Sequence, residues 1–275
     1  MRSAEPQLMG VVNVTPDSFS DGCGGHFIDR AIARGQDLLD EGADILDIGG
    51  ESTRPGAAPI SLDEELRRVI PVITALAAMT QRRLSVDTSK PQVMEAAVAA
   101  GAGMINDVRA LRLPGALAAA SQLAVPVVLM HMQGEPRTMQ CAPTYTDVVR
   151  DVMDFLARRI DSALHAGLDA SHLIIDPGFG FGKTTAHNLA LLSALARFSE
   201  FDLPVLVGLS RKRSLGEITG RQDPAARVFA SVAAHLIAVQ RGASIVRVHD
   251  VGATKDALQL WHAVVACDRQ SCATP

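Results

Sequence analysis

Apolar residues gather along the chain in eight short, nearly unbroken runs, each ending in a polar residue or a turn: 8–14, 44–49, 84–87, 103–108, 126–131, 173–177, 204–210 and 244–249. Runs without strict alternation predict strands buried on both faces, as in a parallel sheet covered by helices. Between the runs the apolar period lengthens to that of a helix. Ser61 and Glu64 predict a capping box opening a helix that carries Leu66, Val69, Ile70 and Ile73, with Pro71 expected to kink it. Pro91 suits the first position of a helix that stops at Gly101. Amphipathic stretches over 147–166 and 223–241 run to Gly167 and Gly242, residues suited to ending helices. Strand and helix alternating eight times within roughly 250 residues predict an α/β fold, a single-domain (β/α)8 TIM barrel. An open doubly wound sheet is the alternative. Residues 1–275 read as that one domain, with 1–7 and 266–275 expected to be flexible tails.

Composition narrows the class. Of the 275 residues, 48% are hydrophobic but only 4% aromatic, so the core must be built from Ala, Val, Leu and Ile. The net charge is −4 and no long run of Lys or Arg occurs, which argues against nucleic acid or an anionic membrane as partner. No apolar stretch is long enough for a membrane span, and residues 1–7 lack the basic and apolar regions of a signal peptide. Four scattered cysteines without a CxxC pair predict free thiols and a cytoplasmic location.

The predicted strands end in Asn13, Asp47, Asp87, Asn106, His131, Asp176, Ser210 and His249, which a barrel would bring to the one rim where barrels place their chemistry. Unusual segments adjoin them. Residues 13–22 crowd Asn, Thr, Asp and Ser around Pro16, with Phe19 exposed. Residues 49–56 offer two glycines, Thr53, Arg54 and Pro55, without the ending of a P-loop. Residues 176–183 alternate three glycines with Phe179 and Phe181, which suits a planar ring. Gly208 and Ser210 lead to Lys212 just past the seventh strand. Arg247 and His249 share one side of the eighth, a dianion site in the place where barrels often hold phosphate. Trp261 is expected to pack the last helix on the barrel. His26, His165, His172, His187, His235 and His262 lack metal-ligand spacing and read as surface or helix residues.

The segments MGVVNVTPDSFSDG, DIGGESTRPGA, SVDTSKP, INDV, LMHMQG, DPGFGFGK, GLSRK and RVHDV, in this order over about Leu8 to Val264, resemble the dihydropteroate synthase family. That family condenses 6-hydroxymethyl-7,8-dihydropterin diphosphate with p-aminobenzoate and releases diphosphate. The resemblance implies a pterin pocket from Asp87, Asn106, Asp176 and Lys212, with Met130 and Gly208 beside it. It implies a Mg2+ and diphosphate site from Asn13, Arg247 and His249. Phe19, Thr53, Arg54, Pro55, Phe181, Ser210 and Lys212 would receive p-aminobenzoate, with Asp47 organising the anion and pterin sites. It further implies a homodimer, and loops 13–22 and 50–57 closing over the site. Where the family usually has serine after SRK, this chain has Arg213, either a further cation at the site or a solvent-facing side chain. A pterin-dependent methyltransferase and a catalytically silent pterin-binding paralogue remain as alternatives.

Overall fold

The computed structural model describes residues 5–15, 27–54 and 56–271. Strands β1 (Gln7–Asn13), β2 (Ile45–Gly49), β3 (Arg83–Asp87), β4 (Met104–Asp107), β5 (Val127–Met130), β6 (Leu173–Asp176), β7 (Leu206–Val207) and β8 (Ile245–Val248) all pair in parallel, in the order 6-5-4-3-2-1-8-7. A single bridge, Ile175 to Val205, closes β6 on β7. The fold is the expected (β/α)8 barrel. The seventh strand is the exception: only two of its seven predicted residues pair as a strand, so the chain at 208–210 leaves the sheet early.

The helices are α1 (Phe27–Asp40), α2 (Leu62–Met79), α3 (Pro91–Ala99), α4 (Ala116–Leu123), α5 (Val148–His165), α6 (Thr185–Ser193), α7 (Arg213–Thr219), α8 (Val228–Gln240) and α9 (Val251–Ser271). Their apolar faces and the outward strand residues form the main core, which includes Val12, Leu46, Ile48, Val72, Ile73, Leu129 and Phe198. The capping box at Ser61 forms by half. Ser61 accepts the Glu64 N–H at 3.2 Å, but the Glu64 carboxylate turns to Arg67 and Arg68 instead of back to Ser61. The α2 helix continues through Pro71 as one element. Asp147 caps α5 by accepting two backbone N–H groups. The stretch 223–241 divides into a 3-10 turn over Pro224–Arg227 and then α8. Helix α9 continues to Ser271, with no Gly or Pro between Gly252 and Ser271 to interrupt it. Trp261 packs against the main core as expected. Among the described residues, no helix is long and apolar enough to cross a membrane.

Candidate active site

Strand side chains alternate between the two faces of a sheet, so every second residue of each strand points into the barrel. The lowest inward layer is apolar: Met9, Ile45, Met104, Val128, Ile174, Leu206 and Ile245 form a closed cluster. Two residues further along, the same alternation brings Asp47, Ser85, Asn106, Met130, Asp176, Gly208 and Arg247 to the next layer. Another step gives Asn13, Gly49 and Asp87, paired in register across β1, β2 and β3. A dry floor thus carries a polar layer and opens at the C-terminal rim.

Arg247 holds the centre. Its Nε donates to Asp47 at 2.6 Å and its Nη2 to Asp87 at 2.9 Å, while the Asn106 amide donates to the same Asp47 oxygen at 2.9 Å. Two carboxylates from different strands share one guanidinium. Burial pushes the Asp87 carboxyl upward, against the pull of Arg247. Burial also pushes Asp176 up to about 6, although its Oδ1 accepts the Gly178 N–H at 2.7 Å. Lys212 is driven down to about 8 by burial and by Arg247, and its ammonium lies 4.3 Å from the centroid of the Phe181 ring. Asp47 Oδ1 and Ser85 Oγ, on residues paired in register, are buried without a protein partner. Such groups need a water or a ligand to complete them. Asp47 lies two residues inside its strand and is fully buried, in the polar layer just below the rim.

His249 follows β8 directly. The Ser210 hydroxyl accepts the His249 backbone N–H at 3.1 Å and lies 2.9 Å from Nδ1. A hydroxyl has one donor and two acceptor sites, so it can pair with Nδ1 in either sense. Burial, with Arg247 and Arg211, pulls His249 down to about 3, so the ring is neutral and offers one N–H. His249 and Asn13 line a cavity of about 590 Å³ with Arg34, Arg211 and Asp250. Among the described residues no three His, Cys, Asp or Glu side chains cluster as a metal site. The donor chemistry of Asn13, one hard amide oxygen at the cavity wall, fits a Mg2+ ion that takes its other ligands from phosphate and water.

His131 is corrected. Met130 and Met132 cluster with Val108 and Met139 under Phe181, so the residue between them points the other way. The His131 ring packs edge-on to Phe155 of α5, and its Nδ1 accepts a 2.8 Å hydrogen bond from Lys183. Burial holds that imidazole down at about 2 and Lys183 at about 7. Lys183 also donates to the carbonyls of Gly178 and Phe181, at 2.8 and 3.1 Å. This latch, which the sequence reading passed over, fixes the glycine loop that presents Phe181. At the second loop Arg68 donates to the Gly50 carbonyl, and Lys90 bridges Glu51 and Glu65. Thr53 is half-buried and Arg54 exposed, and neither makes a hydrogen bond or ion pair with the inner polar layers. Phe19, Pro55 and most of the 13–22 loop lie outside the described residues. Arg213 is solvent-facing and pairs with Glu217 at 2.7 Å, so it adds no cation to the site.

The model of the family described as pterin binding enzyme matches residues 9–249. The dihydropteroate synthase of Haemophilus influenzae is 50% identical over 258 residues, 94% of each chain. Among solved structures, that of the Xanthomonas albilineans synthase with 4-aminobenzoic acid superposes at a TM-score of 0.91, with 60% identity, covering 98% of this chain and 94% of that one. The same synthase with 7,8-dihydropteroate gives 0.88 at 58% identity, covering 98% and 95%. The Yersinia pestis synthase with a sulfonamide drug gives 0.91 at 49% identity, covering 95% of both chains.

Proposed function

The chain belongs to the dihydropteroate synthase family of pterin-binding enzymes, and on that premise we propose how its own residues divide the work. It is a transferase of folate biosynthesis that joins 6-hydroxymethyl-7,8-dihydropterin diphosphate to p-aminobenzoate, yielding 7,8-dihydropteroate and diphosphate. One observation carries the proposed assignment of roles: Asp47, Asp87, Asn106 and Arg247 form a single bonded network above the apolar floor, with the unpartnered Asp47 Oδ1 in it and the unpartnered Ser85 Oγ beside it.

In this reading the Asp176 carboxylate accepts from the amino group and ring N–H of the pterin, while Lys212 and the Asn106 amide meet its acceptors. The diphosphate lies toward Arg247 and the ring of His249, which stabilise the charge that gathers there as the carbon–oxygen bond breaks. The electron pair leaves with diphosphate and the methylene carbon becomes cationic. Asp87 and Asp176 place negative charge beside the ring that shares the cation. The neutral aryl amine attacks with its own lone pair and loses a proton to water, so no strong base is needed. Asn13 would hold Mg2+, whose chemistry there is to neutralise phosphate charge. Phe181, Ser210, Thr53 and Arg54 are assigned to p-aminobenzoate, and Met130 and Gly208 to the wall of the pterin pocket. Sulfonamides that mimic the amine are expected to compete at that end.

We extend the proposal to a homodimer. Ile218 of α7, Phe229 and Ile237 of α8 and Leu260 and Val264 of α9 are exposed apolar side chains on consecutive helices, with Phe229 88% exposed. The exposed Cys141 thiol suits a reducing, cytoplasmic compartment. The function is tested by diphosphate release from the pterin substrate. Release that requires p-aminobenzoate is the expected result. Methyl transfer from methyltetrahydrofolate, or no turnover, would instead favour the methyltransferase or the silent paralogue.

A further inference from the structure

Because β7 pairs over only Leu206–Val207, the backbone that follows loses its strand partners before it reaches Lys212. Those backbone groups are caught instead by α8 and the residue before it. The Leu209 N–H donates to His235 Nε2 at 3.1 Å, and the Arg211 N–H to the Ser231 hydroxyl at 2.9 Å. Arg227 Nη1 donates to the Arg211 carbonyl at 2.9 Å. Arg227, Ser231 and His235 are spaced four apart, so they stand one above another on a single helical face. All three are buried.

Their protonation and bonding suit this work. Burial holds His235 down at about 4, so its ring is neutral and Nε2 keeps a lone pair to accept with. The Ser231 hydroxyl donates to the Arg227 carbonyl at 2.7 Å and therefore receives the Arg211 N–H on a lone pair. Arg227 spends its remaining donors on the carbonyls of Arg221 and Gln222, and none of its bonds goes to a carboxylate. A buried guanidinium satisfied by three backbone carbonyls organises chain, and the chain it organises includes Arg211, whose φ of 57° is left-handed. On the far side the Arg211 side chain makes a two-pronged pair with Asp250 at 2.5 and 3.1 Å.

We propose that Arg227, Ser231 and His235 are a positioning ladder for Lys212: by substituting for the missing strand pairing they fix the 209–211 backbone and so aim the lysine into the pterin pocket. None of the three touches substrate in this arrangement. The inference rests on the reading of Lys212 as a pterin contact.

A double-mutant cycle tests it, read as kcat/KM for the pterin diphosphate with p-aminobenzoate saturating. Ser231→Ala and His235→Leu each lower kcat/KM by about tenfold, while Ser231→Thr and His235→Gln, which keep an acceptor, stay within about twofold. In a Lys212→Ala background the same removals cost less than about twofold further, since the group they aim is gone. Leu236→Ala, on α8 but outside that row, lowers the melting temperature without lowering kcat/KM. Should Ser231→Ala fail to fold, Arg227→Lys, which keeps the charge but cannot reach three carbonyls, replaces it in the cycle. A tenfold loss of equal size in both backgrounds means the residues merely hold the fold, and overturns the proposal. So does an undiminished kcat/KM in the single variants. If Lys212→Ala itself leaves kcat/KM unchanged, the reading of the lysine fails first and the ladder with it.

Discussion

Arg247 is the residue on which the site turns, because one planar guanidinium satisfies Asp47 and Asp87 on two different strands. A lysine offers a single point of charge and cannot bridge them in the same way. Arg247→Ala leaves two buried carboxylates facing each other and removes a donor from the proposed leaving-group site. We expect turnover to fall on the order of 100-fold or more, measured as kcat with both substrates saturating. A tenfold loss or less would count against its role. The pH dependence follows from the pterin-pocket carboxylates and the lysine. Asp87 and Asp176 gain protons as pH falls through about 7 and about 6, and Lys212 loses its proton as pH rises through about 8. The roles assigned to them need the carboxylates and the ammonium, so kcat/KM for the pterin substrate should peak between the carboxylate and lysine values and decline on both sides. A profile flat from about pH 5 to 9 would show that none of these groups titrates in the free enzyme as the geometry requires.

Strands and loops differ in how far their sequence reveals them. Inward polar residues such as Asp87, Asn106, Asp176 and Arg247 were legible because a strand end and a period of two suffice to place them. His131 was misplaced by the same rule applied one residue out of step: with Met130 and Met132 facing in, it had to face α5. The shortness of β7 and the ladder on α8 were not legible. His235 and Ser231 acquire their roles from residues 26 and 20 positions away, through packing that no local pattern encodes. Lys183 was likewise hidden, since its partners are the loop's own carbonyls and His131. The glycine loop beside it makes a sharp test. Gly178 has a φ of 70°, and a Cβ there would sit 1.8 Å from the His131 carbonyl oxygen. Gly220 has a similar φ of 71° with nothing within 4 Å. Gly220→Ala should cost about 1 kcal/mol of stability, and Gly178→Ala at least about 3 kcal/mol, with loss of activity. Urea unfolding midpoints compare them. Equal costs would mean that the loop backbone yields more easily than the packing around it allows.

At the scale of the molecule, the barrel separates stability from chemistry. The closed apolar layer below and the helix-facing core around the strands hold the walls, which frees the rim to carry charges that a self-contained core would not tolerate. The outer surface adds the apolar residues of α7, α8 and α9. Phe229→Asp on that face should shift the sedimentation coefficient from dimer to monomer at micromolar concentration, and an unchanged dimer would place the interface elsewhere. The central claim is that residues from Asn13 to His249 form one pocket for a pterin with its phosphate tail and the aryl amine beside it. A crystal structure of this protein with bound 7,8-dihydropteroate tests it most directly. The account predicts the amino edge of the pterin on Asp176, Lys212 and Asn106 within reach of the ring, and the benzoyl end beside Phe181 and Ser210. A pterin ring bound outside the barrel mouth, with the Asp176 carboxylate still holding only the Gly178 amide, would contradict it.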